Sequence, residues 1–228
     1  MGVQMVDINV GKGKAETHFR VHKAILCAKL PYFDKMLNSG FKEGTENRVN
    51  LPEDDPDSFD LLMVWVYNDT LPPLEWNKSI SGFTKTSNWH AFNLYALADK
   101  LCLEILMDQI ASSYISATLA LDALPGPNYL GTIFQTLPGH TAFRKYAASC
   151  LHYILHGLPK SPELMSTWPV EKLNLIMVAN PNLTMEYLQL VQQHPLDTPV
   201  PDPRLPPYCK FHRHAADAPC PVAARQSI

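Results

Sequence analysis

Between Cys209 and Cys220 the chain reads CKFHRHAADAPC, which sets two thiols and two imidazoles in the order C-x2-H-x-H-x5-C. Two thiolates and two imidazoles are a sufficient ligand set for tetrahedral zinc. Cys209, His212, His214 and Cys220 are therefore candidate metal ligands. The spacing matches no common zinc finger. Three states are compatible with it: a structural zinc knot that orders the tail, a packed tail without metal, and a disordered tail. No other cofactor is indicated. A second pair, His22-Lys23, sits nine residues before Pro31 at His22 and eight before it at Lys23. It reads either as a base with its partner or as the entry to two core helices. No Ser or Cys nucleophile with an orienting carboxylate surrounds it, so no catalytic residues are assigned. Of His18, His90, His140, His152, His156 and His194, only His152 and His156 stand at helical i, i+4 spacing. They lack the intervening Glu of a zinc protease, and a helix surface is the expectation there. The GKGK stretch lacks the rest of a phosphate loop and lies between strands.

The 228 residues, 46% hydrophobic and 18% charged, suffice for one good core and an annex. A net charge of -3 gives no broad attraction to nucleic acid or anionic membrane. No run of 18 apolar residues occurs. The opening MGVQMVDINVG is too short for a signal peptide, and Val6 stands where myristoylation requires Ser or Thr. Five scattered cysteines (27, 102, 150, 209 and 220) without a leader point to free thiols in a reducing compartment, cytoplasmic and/or nuclear rather than secreted. The glycosylation-like triplets at Asn68, Asn77 and Asn182 are then coincidental.

These groups need elements to position them. Val6, Ile8 and Val10 alternate with Asp7 and Asn9, which predicts a strand, and THFRV returns across a GKGK turn as its hairpin partner. HKAILCAKL is a short helix, and Pro31 suits the first turn of the next. NSGFKEGTEN is expected as an exposed loop and RVNL as a strand. Asp54 or Asp55 caps a helix begun by Pro56. Its residues Phe59, Leu62, Met63, Val66 and Tyr67 repeat at helical spacing, with further apolar residues on other faces, so that helix is central. Residues 68–88 read as a loop. From Trp89 to about Ala120 the pattern is helical, with a Leu94, Leu97, Leu101, Ile105 stripe and an expected break between Asp108 and Ser112. Phe143, Tyr146, Ala147, Cys150, Leu151 and Ile154 form another apolar face, and SPELMSTW, VEKLNLIMVAN and TMEYLQLVQQH are further helical pieces. From Pro195 prolines crowd, which predicts a tail that is extended or disordered unless something ties it down.

The order strand, strand, helix, helix, strand, helix, loop, helices, with FRVHKAILCAKLPYFDKML, FKEG, VNLPEDDPDSFDLLMVWVYNDTL and ALADKLCLEILMDQ, resembles a BTB/POZ domain of the type abundant in filamentous fungi. The expected fold is α+β, a small β-sheet flanked by a cluster of α-helices, followed by an all-α, BACK-like extension and a Pro-rich tail. The expected divisions are 1–120, 121–195 and 196–228. The resemblance implies a non-enzymatic protein-interaction module. It places His22 at the start of a core helix with its ring against the sheet, and pairs Lys23 with Asp7. It also implies that Phe41, Lys42 and Glu43 meet a partner, since BTB adaptors of cullin-type ubiquitin ligases carry an apolar-x-Glu pattern in this loop. An exposed aromatic would anchor and the carboxylate would steer. The alternative is that Phe41 folds back on the domain and Glu43 is solvated. A substrate adaptor is thus the first expectation. A self-associating scaffold or transcription-linked BTB protein without cullin binding is the second. The six residues before Asp7 span about 20 Å when extended and cannot form the long leading helix of many BTB dimers, so a smaller self-association interface is expected. No DNA-binding module and no Lys/Arg cluster accompany the domain, so nucleic acid and membrane are not expected partners.

Overall fold

The structure, a computed structural model, describes residues 4–77, 86–139, 141–215, 217–220 and 222. His140 and the middle of the 68–88 segment lie outside the described residues. The chain divides into two compact units, Met1–Ile110 and Ala111–Ile228.

In the first unit, strand β1 (Met5–Val10) runs antiparallel to β2 (Thr17–His22) and parallel to β3 (Arg48–Leu51), giving the order β2-β1-β3. Alternation along β1 puts Val6, Ile8 and Val10 fully inside and Asp7 and Asn9 on the wetter face. Helix α1 (Lys23–Lys29) follows directly, and Pro31 opens α2 (Pro31–Asn38), where its missing N–H leaves no bond unmade. The segment expected as a loop instead holds a short helix, α3 (Lys42–Glu46), ended by Asn47 in the left-handed conformation (φ 47°). Helix α4 (Pro56–Asn68) is capped by Asp55, whose carboxylate accepts from the Ser58 N–H at 3.0 Å and its hydroxyl at 2.6 Å. Phe59, Leu62, Trp65 and Val66 carry α4 into the core, and the Trp65 indole N–H donates to Gln109 at 2.9 Å.

After α4 a two-stranded ladder, β4 (Trp76–Asn77) with β5 (Thr86–Ser87), interrupts what reads as loop in the sequence. Helix α5 (Ala91–Lys100) and helix α6 (Glu104–Ala120) are separated at Cys102 (φ 57°), not between Asp108 and Ser112. That turn resets the helical phase. Leu94, Leu97 and Leu101 stay buried, but Ile105 faces outward and Leu103, Leu106 and Met107 turn in.

The second unit begins within α6. Its other helices are α7 (Pro127–Thr136), α8 (Ala142–His152), α9 (Pro162–Thr167), α10 (Val170–Ala179) and α11 (Pro181–Gln193). A π-helical turn at Tyr153–Gly157 extends α8. Tyr114 lies edge-on to Phe143, and Phe143 stacks on Tyr146, with ring centroids 5.2 and 5.8 Å apart. The Pro-rich tail is tied down onto this core. Buried Phe211, in a 3₁₀ turn at Tyr208–Phe211, meets Tyr146 edge-on at 5.1 Å. The buried Arg204 guanidinium donates to Asp202 at 2.6 and 3.0 Å, to Asp122 at 3.1 Å and to the Ala123 carbonyl at 3.2 Å.

Candidate functional site

Phe41 occupies the N-cap position of α3 and is 61% exposed. Its carbonyl accepts from the Gly44 and Thr45 N–H groups, which starts the helix without using the ring. Lys42 is exposed and approaches Glu46 at 3.8 Å, while Glu43 is half-buried. The three expected partner residues therefore share one short helix, with the aromatic ring in water.

What fixes α3 is a junction built on one carbonyl. The Lys23 ammonium donates to the Leu37 carbonyl at 3.2 Å and to the Asn47 side-chain oxygen at 3.1 Å. The last carbonyls of α2 have no partner within the helix and carry partial negative charge, so a cation settles there. Gly44 packs against the same carbonyl: a Cβ at that position would lie 2.4 Å from the Leu37 oxygen. Lys23 thus joins the end of α2 to the end of α3. This corrects the expected Asp7–Lys23 pair. Asp7 stands opposite Arg20 in the sheet, and its carboxylate meets His18 at 3.0 Å and Arg20 at 4.0 Å. His22 also departs from expectation. Its ring is exposed, with Nδ1 2.9 Å from the Tyr67 hydroxyl, because it ends β2 on the strand's outer face. The His-Lys step is therefore an element junction.

The four soft ligands come together. Cys209, His212, His214 and Cys220 each offer one ligand atom, and these atoms all lie within 4.8 Å of one another. The 3₁₀ turn at Tyr208–Phe211 folds Cys209 toward His212, and the His212 and His214 rings lie 5.4 Å apart. His212 is 9% exposed, with Nε2 2.8 Å from the buried Ser112 hydroxyl and Nδ1 3.5 Å from the Cys220 sulfur. His214 Nδ1 lies 2.9 Å from the Ala215 carbonyl. This group has the donors and the closeness to hold a metal ion.

His152 and His156 are not simply a helix surface. His152 is 7% exposed and packs against both His156 and His194, each with its ring centroid 5.2 Å away. His194, at the end of α11, had no sequence signal, because only the fold brings it beside α8. The His156 ring bonds the Tyr187 hydroxyl at 2.9 Å. His152, His194, Lys145, Glu186 and Lys210 line part of a cavity of about 850 Å³ within this unit. Burial pushes the His152 pKa down, and the neighbouring His156 and His194 push the same way. A base with a depressed folded pKa contributes stability that is full above its unfolded value near 6.5 and is lost as pH falls through the folded value. Thermal unfolding of the helical unit is therefore expected to shift to lower temperature between pH 7.5 and pH 5.5. His152→Gln should flatten that dependence. A wild-type profile with no slope in this window would contradict it.

Of the other thiols, Cys150 is wholly buried and pushed up to about 12 by desolvation, which makes it a packing residue rather than a nucleophile. Among the described residues no helix is long and apolar enough to cross a membrane.

Comparison with known proteins covers the first unit and the start of the second. The family model for the BTB/POZ domain matches residues 3–116. A mouse protein, "TD and POZ domain-containing protein 4", is 35% identical over 89 residues, which are 39% of this chain and 21% of the relative. The chain thus aligns with about a fifth of that relative's length.

Proposed function

The chain belongs to the BTB/POZ domain family, and from that premise we propose that it is a substrate adaptor whose α3 face docks a cullin-type scaffold. The family makes it a protein-interaction module. The adaptor role rests on one observation above the others: Phe41, an aromatic residue 61% exposed, opens α3 two residues before Glu43. Leaving such a ring in water forgoes burial worth about 1.5–3 kcal/mol, which a partner pocket would recover. Glu43 then supplies orientation and charge steering. The helical extension would hold the target. It is supported in that role by Leu175 and Val178 on α10 and Met185 and Leu188 on α11, each more than half exposed.

Co-elution with the N-terminal domain of a BTB-binding cullin from the same organism, with mass read by light scattering, tests this reading. A complex formed by the wild type and lost in Phe41→Ala supports it. A chain that self-associates and leaves the cullin domain behind belongs instead to a scaffold or transcription-linked BTB protein, the second reading, which the family's capacity for self-association favours.

A further inference from the structure

We propose that Cys209, His212, His214 and Cys220 bind one structural zinc ion that clamps the C-terminal tail to the helical unit. This site does not depend on the adaptor reading. Zinc takes imidazole nitrogen at about 2.0–2.1 Å and thiolate sulfur at about 2.3 Å, so a tetrahedral N–S edge is about 3.5 Å. The His212 Nδ1 to Cys220 Sγ distance is 3.5 Å. All four ligand atoms lie within 4.8 Å of one another, so sub-ångström side-chain shifts close the tetrahedron.

The hydrogen bonds around the group are compatible with metal-ligating tautomers. His212 Nε2 lies 2.8 Å from the Ser112 hydroxyl, which can accept its N–H, and Nδ1, the atom beside Cys220, is then the ligand atom. His214 uses the opposite nitrogen: Nδ1–H donates to the Ala215 carbonyl at 2.9 Å and leaves Nε2 as the ligand atom. Zinc-ligating histidines characteristically give their second N–H to such an acceptor, which fixes the ring and raises its basicity. Two thiolates with two imidazoles disfavour magnesium and calcium and suit zinc. Four protein ligands fill the coordination sphere, which makes the site structural rather than catalytic.

The consequence is mechanical. Ser112 belongs to α6 and the ligands to the tail, so a bound ion holds the tail's last described turn against the helical core beside Phe211. Ala215 and residues 217–219 are exposed, so metal supplies order that burial there does not.

The test is metal analysis of the full chain, purified under reducing conditions and exchanged against a small molar excess of zinc. The expected result is one zinc per chain, with cobalt substitution giving the visible bands of a tetrahedral thiolate site. The Cys209→Ser, Cys220→Ser pair should lose the ion, and trypsin should then cut rapidly at Lys210 and Arg213. Ser112→Ala should keep the stoichiometry but bind about 10- to 100-fold more weakly. Folded wild-type protein that takes up no zinc, or zinc uptake unchanged in the cysteine pair, would overturn the proposal. Should the cysteine pair fail to fold, wild-type stoichiometry and the cobalt spectrum decide.

Discussion

Gly44→Ala is expected to weaken the proposed partner docking by α3 while leaving the sheet and the surrounding core folded. In a free helix this exchange gains about 1 kcal/mol, because alanine is the better helix former. Here the sign reverses. The new Cβ would lie 2.4 Å from the Leu37 oxygen and 2.9 Å from the Leu37 carbonyl carbon, both backbone atoms at the end of α2. Backbone cannot rotate aside as a side chain can, so α3 must lift. The carbonyl it strikes is the acceptor of the Lys23 ammonium, and Lys23 also holds Asn47 at the far end of α3. Overpacking of this kind costs about 1–3 kcal/mol. That exceeds what a five-residue helix with no buried residue of its own can absorb. Binding through Phe41 and Glu43 should fall about 10- to 100-fold, roughly 1.4–2.7 kcal/mol. Affinity measured with circular dichroism on the same sample checks it. Undiminished affinity in a folded variant would show that α3 geometry does not matter for docking.

The second large effect is at Arg204. Its side chain is 7% exposed and that of its main partner, Asp202, 12%. Breaking a buried ion pair by removing one partner costs about 3–5 kcal/mol, since the other charge stays buried and uncompensated. Arg204→Ala therefore releases the tail around Pro203 and exposes the Phe211 seat. The readouts are tryptic cleavage at Lys210 and a lowered melting temperature of the helical unit. Arg204→Lys does not rescue it, because an ammonium cannot make the paired contacts of the guanidinium with Asp202 while also reaching Asp122 and Ala123. Burial by itself would raise the Asp202 carboxyl, but its bonds to Arg204 outweigh that and hold it below the usual range. A depressed carboxylate contributes stability that is full above the ordinary value near 3.9 and is lost as pH falls through the lower folded value. The Arg204–Asp202 contribution to tail stability should therefore persist to mildly acidic pH and fade only in stronger acid.

Much of the first unit was legible because its signals are local. Alternation in β1, the hairpin return, Pro31 at the start of α2 and the Asp55-Pro56 cap each depend on a few neighbouring residues, and each stands where those residues put it. What escaped depends on tertiary contact. Helix α3 contains Gly44 and is too short to be stable alone; the α2 carbonyl and Lys23 hold it. The break at Cys102 uses a left-handed conformation at a residue that rarely adopts it. Helix α7 was hidden in a Pro- and Gly-rich stretch, although Pro127 at its start and Leu130, Ile133 and Phe134 at helical spacing were a usable signal. The candidate sites divide in the same way. Residue types and spacing exposed the Cys/His group. Neither Ser112 behind His212 nor His194 beside His152 could be found without the fold. The Lys23 misassignment came from taking a pairing by analogy, where the local cause is the electrostatics of a helix end.

Phe41 and Glu43 on α3 are proposed as the docking surface for a cullin. Titration calorimetry of the full chain against the N-terminal domain of its own organism's BTB-binding cullin tests it most directly, with Glu43→Lys alongside and circular dichroism confirming the fold of both. The expected result is micromolar or tighter binding by the wild type and its loss in the variant. No heat of binding from the folded wild type, or equal binding by both proteins, would contradict it.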